Sequence, residues 1–382
     1  MKRGRKPPIV MLSGIRWDFL WQRHQILATR FARAGYNTIF VETTGLTTPR
    51  PDRSTLRKVS DRLRRSGSGG KKSPDEPNLT VYSPLVAPPT WGVFRSLNRK
   101  LFTPRIARDI RRIAGEDPVV VAYPPTRTTL DTISALRPRL LYYDCSEDYE
   151  GFPRIPKDIA TTERELLRRA DLVSCTAPSL LEKVWPLRPE AFLSGSGVDY
   201  EQFAALQDER PISELRIACY FGHLGRERID LAVFRAVARA GFKVRIIGGV
   251  GKIEPGFLKT PGIEYRGEVS HEELPAALDG TDAFLLPYLD NRLTRGISPA
   301  KTYECLATGK PVVASPLPAL KALGDHVYLA RRPEGFVDVL QNLSRLETKE
   351  KIQARIDLAQ DNSWEARFKE IEKKLWDALE DE

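Results

Sequence analysis

Several residue types and patterns that would announce a function outright are scarce or missing from this chain. Its 382 residues include only four cysteines and four histidines. Cys145, Cys175, Cys219 and Cys305 are scattered without a C-x-x-C pair, each within an apolar strand or helix pattern. That excludes a disulfide scaffold and reads as reduced core thiols of a cytosolic protein. His24, His223, His271 and His326 form no H-x-x-x-H or His/Cys grouping, so no bound metal is expected. The greasiest stretches, "VVVAY" and "AFLLPYL", are strand-sized, far short of the roughly 18 residues of a membrane-spanning helix. The start, "MKRGRKPPIVMLSGIRWDF", is basic like a signal peptide, but its apolar part breaks at Arg16 and Asp18; it reads as a basic tail entering a first strand. "MLSGIRWDF" lacks G-x-G-x-x-G and "GGVGKIEPG" is a poor echo of it, which disfavours a dinucleotide-dependent enzyme.

What is present is basic charge. The formal net charge is +10, and much of it lies before residue 115, in "MKRGRK", "RPDRSTLRKVSDRLRRSGSGGKK" and "RSLNRKLFTPRIARDIRR". Such a surface suits nucleic acid, anionic lipid or a phosphorylated substrate, and a plain solvated face is the alternative. The hydrophobic fraction of 41% and charged fraction of 29% exclude wholesale disorder. At this length two cores are expected.

Short β-rich runs alternate with helix-length amphipathic stretches. "PIVMLSGI", "NTIFVETT", "LTVYSPLV", "PVVVAY", "RLLYYDCS", "DLVSCTA" and "AFLSGS" read as strands, and "RHQILATRFARAG" as a helix closed by Gly35. That alternation means β/α units and a parallel sheet. Residues 46–77 are rich in Pro, Ser, Gly and Arg and read as a long flexible loop. A second α/β series starts near residue 214 with "ELRIACYFGHLG", which places an N-terminal domain at 1–205 and a C-terminal one at 206–360. Residues 361–382 read as an amphipathic helix, with Trp364, Phe368, Ile371, Leu375 and Leu379 on one side, packing back across the domains. The fold class is α/β, with two doubly wound Rossmann-like domains whose strand ends face a central cleft.

One short helix carries concentrated chemistry. In "SPAKTYECLATGKPVVAS", Ser298 reads as the N-cap and Pro299 as the first helical residue, and Gly309 and Pro311 end the helix. A helix start favours an anion, and Lys301 adds a full positive charge where the helix dipole disfavours one. Glu304 follows on the same face, an acceptor for paired hydroxyls such as those of a ribose. The alternative is an i,i+3 ion pair on a solvated helix.

The run "GEVSHEELPAALDGTDAFLLPYLDNRLTRGISPAKTYECLATGKPVVAS" resembles the donor-binding region of GT-B glycosyltransferases of family 4, whose pattern runs through Pro-x-Lys-x-x-Glu into Ala-x-Gly-x-Pro-Val-Val. "YFGHLGRERIDL" is similar to that family's glycine turn and basic residue, and "GIRWDFLWQRHQILATRFARAGYNTIFVET" to the opening of a bacterial subgroup that includes teichuronic acid biosynthesis glycosyltransferases. The resemblance implies a GT-B architecture and the transfer of a sugar from a nucleotide-diphosphate donor. It implies that Glu304 holds the ribose, that Lys301 and Arg228 meet the diphosphate, and that Gly222 leaves room for it. It further implies that Asn291, Thr294 and Ser298, with Pro299 beside them, line the sugar pocket. The chain departs from the family at Gly296, where many members carry a second glutamate. No D-x-D occurs, which agrees with metal-independent transfer, and retention of anomeric configuration is implied by the family. No cofactor is expected beyond the nucleotide-sugar substrate.

On the acceptor side, "SGIRWDFLWQRHQ" follows the first strand, so Trp17, Arg23 and His24 are candidates to line the cleft, with Arg23 for an acceptor phosphate; helix-surface decoration is the alternative for His24. In "YYDCSEDYEGF", Asp144, with Glu147 and Asp148, is a candidate base or orienter of acceptor hydroxyls, against a solvated loop. "WGVFRSLNRKLFTPRIARDIRRI" draws as a basic amphipathic helix with Phe94, Leu97, Leu101, Ile106 and Ile110 near one side, interrupted at Pro104. It suits an anionic membrane surface, where lipid-linked acceptors reside. The expectation is therefore a glycosyltransferase of cell-surface polysaccharide assembly, cytoplasmic and peripheral on the inner face of the membrane, acting on a glycan or lipid-linked acceptor. The rivals are a nucleotide-sugar epimerase of the same fold and a basic nucleic-acid-binding protein; no specific nucleic acid is expected, since the basic segments lack aromatic platforms and a recognition motif.

Overall fold

A computed structural model describes residues 6–18, 21–42, 70–87, 92–152, 155–208 and 210–380. The chain divides into two compact units, one of residues 1–176, 180–194 and 370–382, the other of 177–179 and 195–369.

The first unit is built on an eight-stranded sheet. Its strands are β1 (Ile9–Leu12), β2 (Thr38–Val41), β3 (Lys71–Lys72), β4 (Leu79–Tyr82), β5 (Val119–Ala122), β6 (Leu140–Cys145), β7 (Leu172–Cys175) and β8 (Phe192–Leu193), in the order β3-β4-β2-β1-β5-β6-β7-β8. All neighbours are parallel except β3 with β4. Because helices cover both faces, central strands such as "IVML" and "VVVA" are apolar at every position and wholly buried, where a half-exposed strand would alternate. After β4 the chain jumps to β5 on the other side of β1. The strand order therefore reverses between β1 and β5.

The second unit has a six-stranded, all-parallel sheet of β9 (Ile217–Phe221), β10 (Lys243–Ile247), β11 (Ile263–Tyr265), β12 (Ala283–Leu286), β13 (Val312–Ala314) and β14 (Tyr328–Leu329), ordered β11-β10-β9-β12-β13-β14. Its reversal lies between β9 and β12. In open α/β sheets, ligands bind outside the carboxyl ends of the strands at such a reversal.

The restart of the α/β series places the domain boundary at 205/206, whereas the units divide at Ser194/Gly195. Val198 pairs with the backbone around Ser363, and Phe203, on the helix Tyr200–Ala204, is buried in the second core. The final helix, Trp364–Glu380, buries Trp364, Phe368, Ile371, Leu375 and Leu379 as its periodicity requires. From Glu370 on it belongs to the first unit, where Trp376 Nε1 donates to Tyr36 Oη (2.8 Å) and that phenol donates to Glu372 (2.7 Å).

Of the loop expected over 46–77, residues 46–69 lie outside the described residues, as do the first five of the basic tail. The remainder is not all loop: Lys71 and Lys72 form β3, where charged side chains suit an unprotected sheet edge. The basic helix also differs from expectation. It is not broken at Pro104, because a π-turn over Asn98–Phe102 joins the helices Gly92–Leu97 and Thr103–Ala114 and accommodates a residue that cannot donate to the preceding turn. That wider turn carries Leu101 out of the apolar face, leaving it 61% exposed. All four cysteines are free and buried. Among the described residues no helix is long and apolar enough to cross a membrane.

Candidate functional site

The predicted donor residues gather at the strand reversal of the second unit. β9 ends at Phe221, and Gly222 turns away with φ +108, a conformation that favours glycine. Gly248, at the end of β10, lies so close that a Cβ there would stand 2.5 Å from the Gly222 carbonyl. The turn runs on to Arg228, whose carbonyl accepts from Leu289 N–H (2.8 Å) just beyond β12, while Asp230 N–H donates to Pro287 O (2.8 Å). The Gly222–Asp230 segment thus bridges the ends of β9 and β12, across the reversal.

Lys301 begins the helix Lys301–Ala307 and reaches into this corner. Its ammonium donates to the Phe221 carbonyl (2.5 Å) and to Tyr220 Oη (3.3 Å), and stands 4.3 Å from the Tyr220 ring centroid. A Cβ at Gly222 would lie 2.3 Å from that nitrogen, so the glycine makes room for Lys301 itself. Arg228 is half-buried nearby. Burial pushes the Tyr288 phenol up to about 12, with the charges of Lys301 and Arg228 opposing. Among the described residues neither cation has a carboxylate partner, and the Arg228 guanidinium makes no hydrogen bond. Half-buried cations without counter-ions form a site prepared for an anion.

Glu304, three residues beyond Lys301, has no hydrogen bond or ion pair among the described residues. Burial raises its carboxyl above the ordinary range, with His271 and Lys301 opposing. His271 in turn approaches Asp199 (Nε2 to Oδ2 3.7 Å), and chiefly that carboxylate raises its pKa. Nothing in the sequence pattern singled out Tyr220, which reads as a strand interior, or His271, which reads as part of a cap.

Three donor-side expectations are corrected. Ser298 is not the N-cap; Ala300 holds that position, and the Ser298 carbonyl accepts from Ser196 Oγ (3.2 Å), while Pro299 is buried ahead of the helix. The Asn291 amide is engaged locally. Its oxygen caps Thr294 N–H (3.0 Å) and its nitrogen donates to Glu227 O (3.0 Å), clamping the Arg228 segment to the short helix Arg292–Arg295. Thr294 is fully buried and bonds the same local backbone. Gly296 ends that helix.

In the first unit, Arg23 and Asp144 do meet, but as a buried ion pair (Nε to Oδ2 2.7 Å) that is 8% and 0% exposed. Asp144 Oδ1 accepts from Ser174 Oγ (2.9 Å), and Arg23 also donates to Ser194 Oγ (3.1 Å). Both groups are fully committed, so Asp144 is not an accessible base and Arg23 is not free for an acceptor phosphate. His24 is not surface decoration either. It is 7% exposed, stacks on Tyr123 (centroids 3.6 Å) and shares a 2.7 Å hydrogen bond with Ser13 Oγ, at the reversal between β1 and β5. Burial, then the charge of Arg23, holds its pKa down at about 3, so the ring is neutral at pH 7. Trp17 stays partly exposed, edge-on to Phe40 (5.0 Å) and to the half-exposed Trp21 (5.2 Å).

Comparison with known proteins agrees with this geometry. Residues 226–373 match the family model described as glycosyl transferase-like. TuaH of Bacillus subtilis (strain 168), whose name assigns it as a glycosyltransferase to teichuronic acid biosynthesis, is 24% identical over 239 residues, 57% of this chain and 59% of that protein. The chain thus spans less than two thirds of the length of this curated relative. Among solved structures, Anabaena Alr3699/HepE in complex with UDP and glucose has a TM-score of 0.67 at 12% identity, covering 98% of this chain and 100% of that one. A glycosyltransferase from Rickettsia africae ESF-5 also scores 0.67 at 12% identity, covering 99% and 100%. These likenesses show the fold, which is the GT-B fold of two doubly wound α/β domains.

Proposed function

We propose that this chain is a glycosyltransferase that moves a sugar from a nucleotide-diphosphate donor, held by its second unit, to a glycan or lipid-linked acceptor in cell-surface polysaccharide assembly. The observation that carries the reading is the pair of half-buried cations, Lys301 and Arg228, standing without carboxylate partners at the strand reversal. When the glycosidic bond breaks, negative charge grows on the departing diphosphate, and fixed cations in a partly dry corner stabilise that charge more than water does. Two such cations let the leaving group depart without a metal ion. Glu304, a carboxylate desolvated and unpartnered, suits the paired hydroxyls of a ribose, which would supply the hydrogen bonds it lacks. In the same reading transfer retains anomeric configuration by attack on the face the nucleotide leaves, and the protein works at the inner surface of the cytoplasmic membrane. The UDP and glucose held by Alr3699/HepE and the name of TuaH support a nucleotide-sugar donor and a polysaccharide product.

The test is a thermal-shift panel of UDP-, GDP-, ADP- and dTDP-sugars on the wild type, Lys301→Ala and Glu304→Gln. A saturating ligand at about a hundred times its Kd adds about 2.7 kcal/mol of stability. One nucleotide is expected to raise the wild-type Tm clearly and both variants far less. If none does, the anion site is empty of function and the reading falls. Assaying sugar transfer against 2-epimerisation of the selected donor separates a transferase from an epimerase of the same fold.

A further inference from the structure

The far end of the helix Lys301–Ala307 is held by groups that its own sequence does not supply. Seven residues make only about two turns, and a helix that short takes its position from tertiary contacts rather than from its own hydrogen bonds. At its C-terminal end, side chains from two distant segments take backbone carbonyls: Gln207 Nε2 donates to Ala307 O (2.8 Å) and Arg355 Nε to Gly309 O (2.9 Å). Gly309 has φ +73, and a Cβ there would stand 3.0 Å from Ile352 and 3.2 Å from Ile356. The chain after the helix is thus pressed against the helix Lys349–Asp361, which carries Arg355.

Arg355 is wholly buried, a costly place for a guanidinium, and its fork is occupied on two sides. While Nε holds Gly309, the two terminal nitrogens grip Glu347, one carboxylate oxygen each (Nη1 to Oε1 3.0 Å). Glu347, directly after the helix Pro333–Leu346, also accepts from Tyr328 Oη (2.6 Å), whose ring lies 4.9 Å from the Lys351 ammonium. The carboxylate therefore fixes the plane of the guanidinium, and that plane fixes where the Gly309 carbonyl must lie. Stability alone does not explain the pair, because a buried ion pair gains little over apolar residues of the same volume.

We propose that Arg355, aimed by Glu347, is a positioning residue for the donor: by holding Gly309 it sets the register of the Lys301–Ala307 helix, and so the places of Lys301 and Glu304. This role rests on the donor reading of those two side chains. Arg355 and Glu347 act through the helix, without touching the nucleotide.

Glu347→Leu/Arg355→Met removes the pair without stranding a buried charge, so the fold is expected to survive with a urea midpoint at or above the wild-type value. Hydrogen exchange read by mass spectrometry then reports on the helix itself. Loss of a hydrogen bond from a charged donor corresponds to about ten- to a hundredfold in local opening, so amides over residues 304–310 should exchange faster by that factor, with those of β9 and β10 unchanged. Titration calorimetry with UDP, GDP, ADP and dTDP supplies the reading that a merely structural pair would leave alone. Whichever binds the wild type should bind the double variant several-fold more weakly, because less of the protein holds the competent geometry. Arg355→Lys keeps the charge but not the fork, and should lose affinity as well. Wild-type affinity in a stable double variant, full affinity in Arg355→Lys, or unchanged exchange over 304–310 overturns the proposal. So does unfolding of the double variant, which would make the pair a part of the scaffold only. Failure of all four nucleotides to bind the wild type is the distinct outcome that sinks the donor reading, and the positioning role with it.

Discussion

Gly222 and Lys301 define a perturbation whose result depends on their contact. Gly222→Ala places a methyl group 2.3 Å from Lys301 Nζ and 3.1 Å from its Cε, at a backbone φ of +108. The backbone strain of a side chain in left-handed space is about 1–2 kcal/mol and is present whatever residue stands at 301. The steric part exists only while the lysine is there. Since the clash is with the far end of a flexible chain, the ammonium is expected to move, giving up its bonds to Phe221 O and Tyr220 Oη. A hydrogen bond to a charged group is worth about 1.5–3 kcal/mol, so nucleotide diphosphate affinity should fall by about ten- to a hundred-fold, much as in Lys301→Ala. The double variant should bind no worse than either single one, and its urea midpoint should show only the backbone strain beyond Lys301→Ala. Coupling of about 0.5–3 kcal/mol between the sites is the signature, measured by urea unfolding with unchanged m and by titration calorimetry with the selected nucleotide. Losses that simply add would refute the reasoning, because they would mean that Gly222 and Lys301 do not share one space when the donor binds.

Three further outcomes follow from other groups. A carboxyl whose folded pKa exceeds its unfolded value, as burial makes that of Glu304, contributes stability at low pH and loses it as pH rises through the folded value. Glu304→Gln should therefore resist urea better than the wild type at pH 7, with the advantage fading on acidification, while donor affinity falls; a variant less stable at pH 7 would contradict this. Asp144→Ala leaves the Arg23 guanidinium buried without its counter-ion and should destabilise the first unit by about 3–5 kcal/mol in urea unfolding; a normal midpoint with lost turnover would restore Asp144 as a catalytic base. Tyr220→Phe keeps the ring under Lys301 but loses the phenol bonded to it and to His223 O, and should weaken nucleotide binding by about 0.5–1.5 kcal/mol by calorimetry, with Tyr220→Leu weaker still. Equal affinity in all three proteins would show that Tyr220 does not aim the lysine.

Local pattern alone determined much of this protein. Runs such as "VVVA" and "AFLLP" between amphipathic helices can be buried only in a parallel sheet, and the restart of that series near residue 214 marks a second sheet. The spacing of Lys301 and Glu304, three residues apart on one helix, was equally legible, because helix periodicity puts them on one face. Tertiary structure decided whatever depends on partners distant in the chain. Arg23 and Asp144 are separated by 121 positions, and each alone reads as an exposed polar group; only the folded sheet brings them together and takes them out of water. Asn291 and Thr294 look like ligand-facing polar residues until the backbone around Glu227 claims the one and burial the other. Leu101 fits an apolar stripe under regular α-helical spacing, but the hydrogen bonds between the Asn98 amide and the Ala87 backbone widen one turn and reverse its side. Periodicity is written in the order of residues, whereas which charges find counter-ions and which are left open for a ligand is settled only when distant segments meet.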